Sequence, residues 1–163
     1  PYIDFSIKAL GDYTGTLAQR VRVGDAITVE GPYGRFDFQG AARRQIWVGG
    51  GIGITPFVAR MQVLAGHSDG RAIDLFHTTP VLDPQAMALL ETDAKAAGVN
   101  LHVMLDSRDG LLTASRLASQ VPGWQEADVW FCGPAGFGKA LKSGLAALGL
   151  PPARFHQELF EMR

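Results

Sequence analysis

The chain has 163 residues, 47% hydrophobic and 19% charged, with 15 Lys and Arg against 16 Asp and Glu for a formal net charge of −1. This is the composition of a globular chain able to bury a core; it excludes a disordered segment and, lacking a basic block, a nucleic-acid binder. A single cysteine, Cys132, excludes an internal disulfide and a cysteine-ligated iron–sulfur cluster held by this chain alone.

Residues 3–9 alternate like a strand from the outset, with no preceding start signal, as a piece cut from a longer protein would. Residues 11–17 read as a turn and short helix, and 26–30 as a second strand, with turns at Val23-Gly24-Asp25 and Gly31-Pro32-Tyr33-Gly34. Two or three strands do not make a stable β-domain, so residues 1–40 are expected to be a remnant, distinct from a domain over 41–163. From residue 45 onward apolar runs alternate with helical patterns. Strands are predicted at 46–48, 72–77, 100–105, 128–132 and 155–160, with helices near 55–65, 84–97, 113–120 and 135–148. In the last helix Phe137, Leu141, Leu145 and Leu148 form a core stripe. The expected fold is α/β: a Rossmann-like parallel five-stranded sheet with helices on both faces, preceded by a partial antiparallel β-barrel segment.

The first strand of that sheet runs into Gly49-Gly50-Gly51-Ile52-Gly53-Ile54-Thr55-Pro56. Thr55 reads as an N-cap and Pro56 as the first helical residue. Glycines admit close backbone approach and positive φ, and a helix N-terminus favours an anion. The stretch therefore reads as a pyrophosphate cradle, or as a tight strand-to-helix turn needing glycine for sterics alone; G-x-G-x-x-G is not matched, because Pro56 takes the last position. Ligands of such sheets gather at strand carboxyl ends near the switch point. The turns at Thr78-Thr79, Asp106-Ser107-Arg108 and Cys132-Gly133-Pro134 are expected on that same edge. His67, His77, His102 and His156 show no metal-ligand spacing, so no metal site is expected. The apolar runs fall short of the roughly 20 residues of a membrane span, and the first residues given do not read as a signal peptide; the expected setting is cytoplasmic.

Five stretches in order carry a family resemblance: Gly11-Asp12-Tyr13-Thr14, Gly31-Pro32-Tyr33-Gly34-Arg35-Phe36, Gly49 to Phe57, Phe131-Cys132-Gly133-Pro134, and Phe155-His156-Gln157-Glu158-Leu159-Phe160. The chain resembles the ferredoxin–NADP reductase superfamily, in particular its ferric reductase and NADPH oxidase branch. The resemblance implies that residues 1–40 are the tail of an FAD-binding barrel and 41–163 an NAD(P)-binding domain. It implies that Gly11 and Thr14 meet the flavin pyrophosphate, and that Gly49, Gly50, Gly51, Gly53, Thr55 and Pro56, with Thr78, Gly133 and Pro134, meet the nicotinamide dinucleotide. Cys132, Glu158 and Phe160 fall near where hydride passes to the flavin; for Cys132 a packing and orienting role is expected. Thr14 has a plainer reading as a helix cap, and His156 and Glu158 a plainer one as a pair on one strand face.

For coenzyme choice, an acidic residue after the second strand would hold a ribose 2′-hydroxyl, but none stands there before Asp83. Ser107-Arg108 resembles a 2′-phosphate pair, and a guanidinium fork suits phosphate, although Asp106 and Asp109 flank it. NADPH is thus favoured over NADH. The expected function is an NAD(P)H-oxidising flavoprotein reductase fragment that passes electrons to a haem or ferric acceptor, with the cytosolic part of a membrane-bound parent as one setting. The alternatives are a soluble ferredoxin or oxygenase reductase component and a non-catalytic NAD(P)H-sensing module.

Overall fold

Strands that are apolar on both faces must be covered by helices on both, and the burial pattern of this chain meets that demand. The computed structural model describes residues 3, 5, 7–9, 11–31, 34 and 36–159. They divide into two compact units, Pro1–Arg35 and Phe36–Arg163.

In the first unit the regular element is helix α1 (Gly11–Arg20). The described residues of 3–9 and 26–30, expected as strands, lie in no sheet. Ile3, Phe5, Ile7, Ile27 and Val29 are each more than half exposed. A strand exists through the ladder it shares with a neighbour, and no described segment offers either of them one. The alternation is present in the sequence, but its partner strand is not among the described residues.

The second unit holds β1 (Arg44–Gly50), α2 (Thr55–Gly66), β2 (Ala72–Thr79), α3 (Pro84–Ala97), β3 (Asn100–Leu105), α4 (Asp106–Asp109), α5 (Ala114–Gln120), β4 (Asp128–Gly133), α6 (Ala135–Ala147) and β5 (Phe155–Leu159). The five strands pair in parallel in the order β3-β2-β1-β4-β5. Chain order therefore reverses direction between β1 and β4, which makes the carboxyl ends of those two strands the switch point. Phe57, Met61 and Leu64 of α2 join Leu90 and Ala94 of α3 over one sheet face. Ala114 and Leu117 of α5 join Leu141 and Leu145 of α6 over the other. Leu148 departs from the expected stripe: α6 ends at Ala147, Leu148 is the C-cap, and Leu150 is buried instead.

On the α2 and α3 side an aromatic cluster anchors the core. Trp47 stacks on Phe57 at 5.5 Å between ring centroids, and Phe38 meets Trp130 at 5.1 Å. Phe38 has φ 55, a strained value for a bulky residue. Its carbonyl is held there by Gln45 Nε2 at 2.9 Å and Arg71 Nη1 at 2.7 Å. At the amino-terminal edge of the sheet, Asp74 accepts from Arg44 at 2.6 Å and Asn100 at 2.8 Å, with His102 Nε2 at 3.2 Å. Burial would raise the Asp74 pKa, but these donors and the Arg44 charge outweigh it and hold the carboxyl below its ordinary range. Replacing the fully buried Phe57 with Ala should cost about 3–5 kcal/mol of stability, read from denaturant midpoints.

Candidate functional site

Gly49 and Gly50 are the last two residues of β1 rather than part of a loop: Gly49 pairs with His77 and Gly50 with Thr78 in register. Thr78 and Thr79 likewise complete β2, and Gly133 completes β4. The ladders continue because β1 has a neighbour on each side. The turn itself is a single 3₁₀ turn, Gly51–Ile54, which passes directly into α2. Thr55 is therefore not the N-cap. It is already helical, at φ −57 and ψ −44, and Ile54 takes the cap position. Pro56 still stands within the first two helical positions, where its missing N–H costs nothing.

The glycines divide by what surrounds them. A Cβ on Gly53 would overlap the Cys132 carbonyl, and one on Gly50 would lie 2.9 Å from Pro134 Cδ. A Cβ on Gly133 would come within 3.1 Å of Gly50 Cα. Gly50, Gly53 and Gly133 are thus required for the turn to close on the end of β4. Gly51 differs: its φ is +55 and a Cβ there would meet open space, so it presents bare backbone outward at the switch point. That is the position where glycine serves approach by a ligand as well as turn geometry.

Helix termini sharpen the contrast. Asp83 caps α3, accepting from Gln85 N at 2.8 Å and Ala86 N at 3.1 Å. Thr113 caps α5, accepting from Arg116 N at 3.2 Å. Among the described residues no side chain caps α2 or α6, the two helices that start beside the switch point. At α2 the Thr55 N–H already donates to the Ile52 carbonyl and Pro56 has none; neither helix start meets a side-chain acceptor, and helix N-termini favour an anion. These residues fit a dinucleotide pyrophosphate.

Other expected site residues lie as follows. Cys132 is 1% exposed and opposes Glu158 across β4 and β5. Burial, with a smaller contribution from the Glu158 charge, pushes its thiol up to about 12, so it stays protonated and packs as a small apolar group. His156 stacks on Trp130 at 4.0 Å between centroids. Its Nε2 lies 3.8 Å from Asp128, beyond hydrogen-bond reach. Phe160, and Pro32, Tyr33 and Arg35 of the second motif, lie outside the described residues. Gly11 opens α1 at φ +76, and Thr14 sits within that helix, so Thr14 is not the cap of a following one.

Ser107 and Arg108 fall in the four-residue α4, both exposed. Arg108 directs Nε and Nη2 onto the two carboxylate oxygens of Asp109, at 2.9 and 2.8 Å. Asp109, held chiefly by Arg108 and also by the Leu105 N–H, is lowered to about 2. The fork expected to face a 2′-phosphate is thus closed on its neighbour. His77 is the residue at this edge that no sequence motif flagged: it is buried, with Nδ1 3.3 Å from the Gly49 carbonyl. Its only sequence signal was its place near the end of an apolar strand.

Comparison with known proteins accords with this geometry. No family model matches the chain. It is 30% identical over 167 residues to a flavohemoprotein of Bordetella pertussis, covering 92% of this chain and 41% of that protein. It is 33% identical over 148 residues to the carnitine monooxygenase reductase subunit of Escherichia coli K12, covering 88% and 43%. The chain thus spans less than half the length of these relatives. In fold it matches the FAD/NAD binding domain of a nitric oxide dioxygenase from Vibrio cholerae, with a TM-score of 0.74, 24% identity, and 92% and 65% coverage. The α/β fold, a parallel five-stranded sheet with helices on both faces, is thus shared with that domain. Together the findings support the ferredoxin–NADP reductase-like superfamily for this chain.

Two measurements check the geometry. Cys132 should resist alkylation at pH 8 in the folded protein and react fully in denaturant. Its unfolded thiol ionises near 9.0 and the folded one only near 12, so stability should also fall as pH rises across that window. Gly53→Ala, which drives a methyl into backbone, should destabilise by about 3 kcal/mol or more. Gly51→Ala, strained only by its φ, should cost about 1–2 kcal/mol, and thermal melts separate the two.

Proposed function

We propose that the chain is the nicotinamide-dinucleotide half of an NAD(P)H-oxidising flavoprotein reductase. The observation that carries this reading is the switch-point crevice: two uncapped helix N-termini, α2 and α6, flank the outward-facing backbone of Gly51. Gly51, Thr55 and Pro56 would bind the pyrophosphate, while Gly133 and Pro134 would border the nicotinamide end. When bound, a nicotinamide would supply hydride-transfer chemistry and a flavin the capacity to pass electrons on one at a time. This chain's residues bind and orient. Cys132, held neutral, would pack beside the ring and take no proton. Glu158, on the neighbouring strand, keeps a carboxylate on that edge. Gly11 and Thr14 of α1 are proposed to contact the flavin diphosphate.

The acceptor we favour is the haem or iron–sulfur centre of an oxygenase-type partner. A monooxygenase reductase subunit and a flavohemoprotein among the relatives support this over a membrane ferric reductase. Among the described residues no helix is long and apolar enough to cross a membrane. For the coenzyme, we propose that NADPH is bound with only a small preference over NADH. Asp83 is engaged as the α3 cap, and Arg108 must leave Asp109 to reach a phosphate. An exposed ion pair yields readily to such competition.

Calorimetric titration with NADH and with NADPH should show binding of both, at affinities within about tenfold, a gap of 1.4 kcal/mol. Arg108→Ala should weaken NADPH alone; equal loss of both coenzymes would remove Arg108 from the site. In the flavin-loaded full-length protein, anaerobic addition of NAD(P)H should bleach the flavin. Binding without bleaching would mean a nucleotide sensor instead of a reductase.

A further inference from the structure

His77 has no part in the reading above, yet it touches the cradle's starting point. It lies third from the end of β2, opposite Gly49 in the parallel register, and is 5% exposed. Its Nδ1 is 3.3 Å from the Gly49 carbonyl oxygen. A carbonyl oxygen can only accept, so Nδ1 carries the proton and Nε2 of the neutral ring is bare. Burial favours the neutral ring, against a smaller opposing effect of the Gly49 carbonyl.

Gly49 is tightly coupled to the turn that follows it. A Cβ on Gly49 would come within 3.0 Å of Ile54 Cα and 3.2 Å of Ile54 N. Gly49 therefore lies directly against the residue from which α2 starts. With so little slack, a shift of the Gly49 peptide moves the 3₁₀ turn and the first N–H groups of α2 together. The Nδ1–H donated by His77 is a side-chain restraint on that peptide from the neighbouring strand.

We propose that His77 is a positioning residue of the dinucleotide cradle: by donating Nδ1–H to the Gly49 carbonyl, it sets where Gly51–Ile54 and the α2 N-terminus meet the coenzyme pyrophosphate. The inference rests on the dinucleotide reading above. It assigns His77 to binding geometry, so its loss appears in the coenzyme KM and leaves kcat nearly untouched. The requirement is specific to one ring nitrogen. Asparagine places an N–H close to the Nδ1 position, whereas glutamine reaches toward the Nε2 position and leucine offers none.

The test uses the flavin-loaded full-length protein and the reduction of its flavin by NADH and by NADPH. His77→Leu and His77→Gln should raise the coenzyme KM about tenfold at near-constant kcat, the effect of one lost positioning hydrogen bond. His77→Asn should stay within about threefold of the wild type. If Leu does not fold, the Asn and Gln pair alone carries the comparison. Nitrogen NMR of the histidine rings should independently show His77 protonated at Nδ1 near neutral pH. Wild-type KM in His77→Leu, equal losses in Asn and Gln, or an Nε2–H tautomer would each overturn the role of His77. If the wild type itself is reduced by neither coenzyme, the dinucleotide reading falls instead, and the role of His77 with it.

Discussion

The close approach of the Gly51–Ile54 turn to the carboxyl end of β4 is the constraint on which the rest of the site depends. Gly53 lies against the Cys132 carbonyl, Gly133 against Gly50, and Gly50 against Pro134. Side chains at these positions would force the backbones apart, and the crevice between β1 and β4 would lose its floor. The two strands are neighbours in space although four helices and two strands separate them in the chain. Glycine lets the switch point form as a backbone-to-backbone contact, which is stiffer than one made through flexible side chains.

On that floor the electrostatics follow from what is missing as much as from what is present. Polar groups at the amino-terminal edge of the sheet satisfy one another: Asp74 is surrounded by Arg44, Asn100 and His102. At the carboxyl edge, α3 and α5 are closed by the Asp83 and Thr113 side chains. Helices α2 and α6 are left open among the described residues, one on each side of the reversal in strand order. Helix starts that meet no side-chain acceptor present the positive end of the helix dipole, which favours an anion. Their placement, more than any single glycine, supports the proposal of a ligand-binding edge over an ordinary set of turns.

Much of this was legible in the residues. Apolar runs such as Ile46-Trp47-Val48 and Val129-Trp130-Phe131 are too short for helices and too uniformly apolar for an exposed sheet, so they announce buried parallel strands. The helices expected near 84–97 and 113–120 form as α3 and α5, capped by Asp83 and Thr113. Errors clustered where neighbours decide the outcome. Thr55 has the chemistry of a cap, but the preceding 3₁₀ turn moves the cap to Ile54 and leaves Thr55 already helical. Residues 3–9 have the rhythm of a strand, but a strand needs a ladder. Arg108 has the fork for a phosphate, but Asp109 stands one residue away at the right angle to accept it.

The sequence by itself determined the element types, their order and the glycine-rich edge, because periodicity and turn chemistry act over a few residues. Only the tertiary structure decided which glycine faces outward, which helix ends stay uncapped, where the Arg108 fork points, and that His77 reaches the Gly49 carbonyl. The outward glycine and the His77 contact depend on a strand brought alongside from elsewhere in the chain, of which local propensity carries no record. The helix starts and the Arg108 fork depend on the conformation of adjacent residues, which residue type alone does not fix.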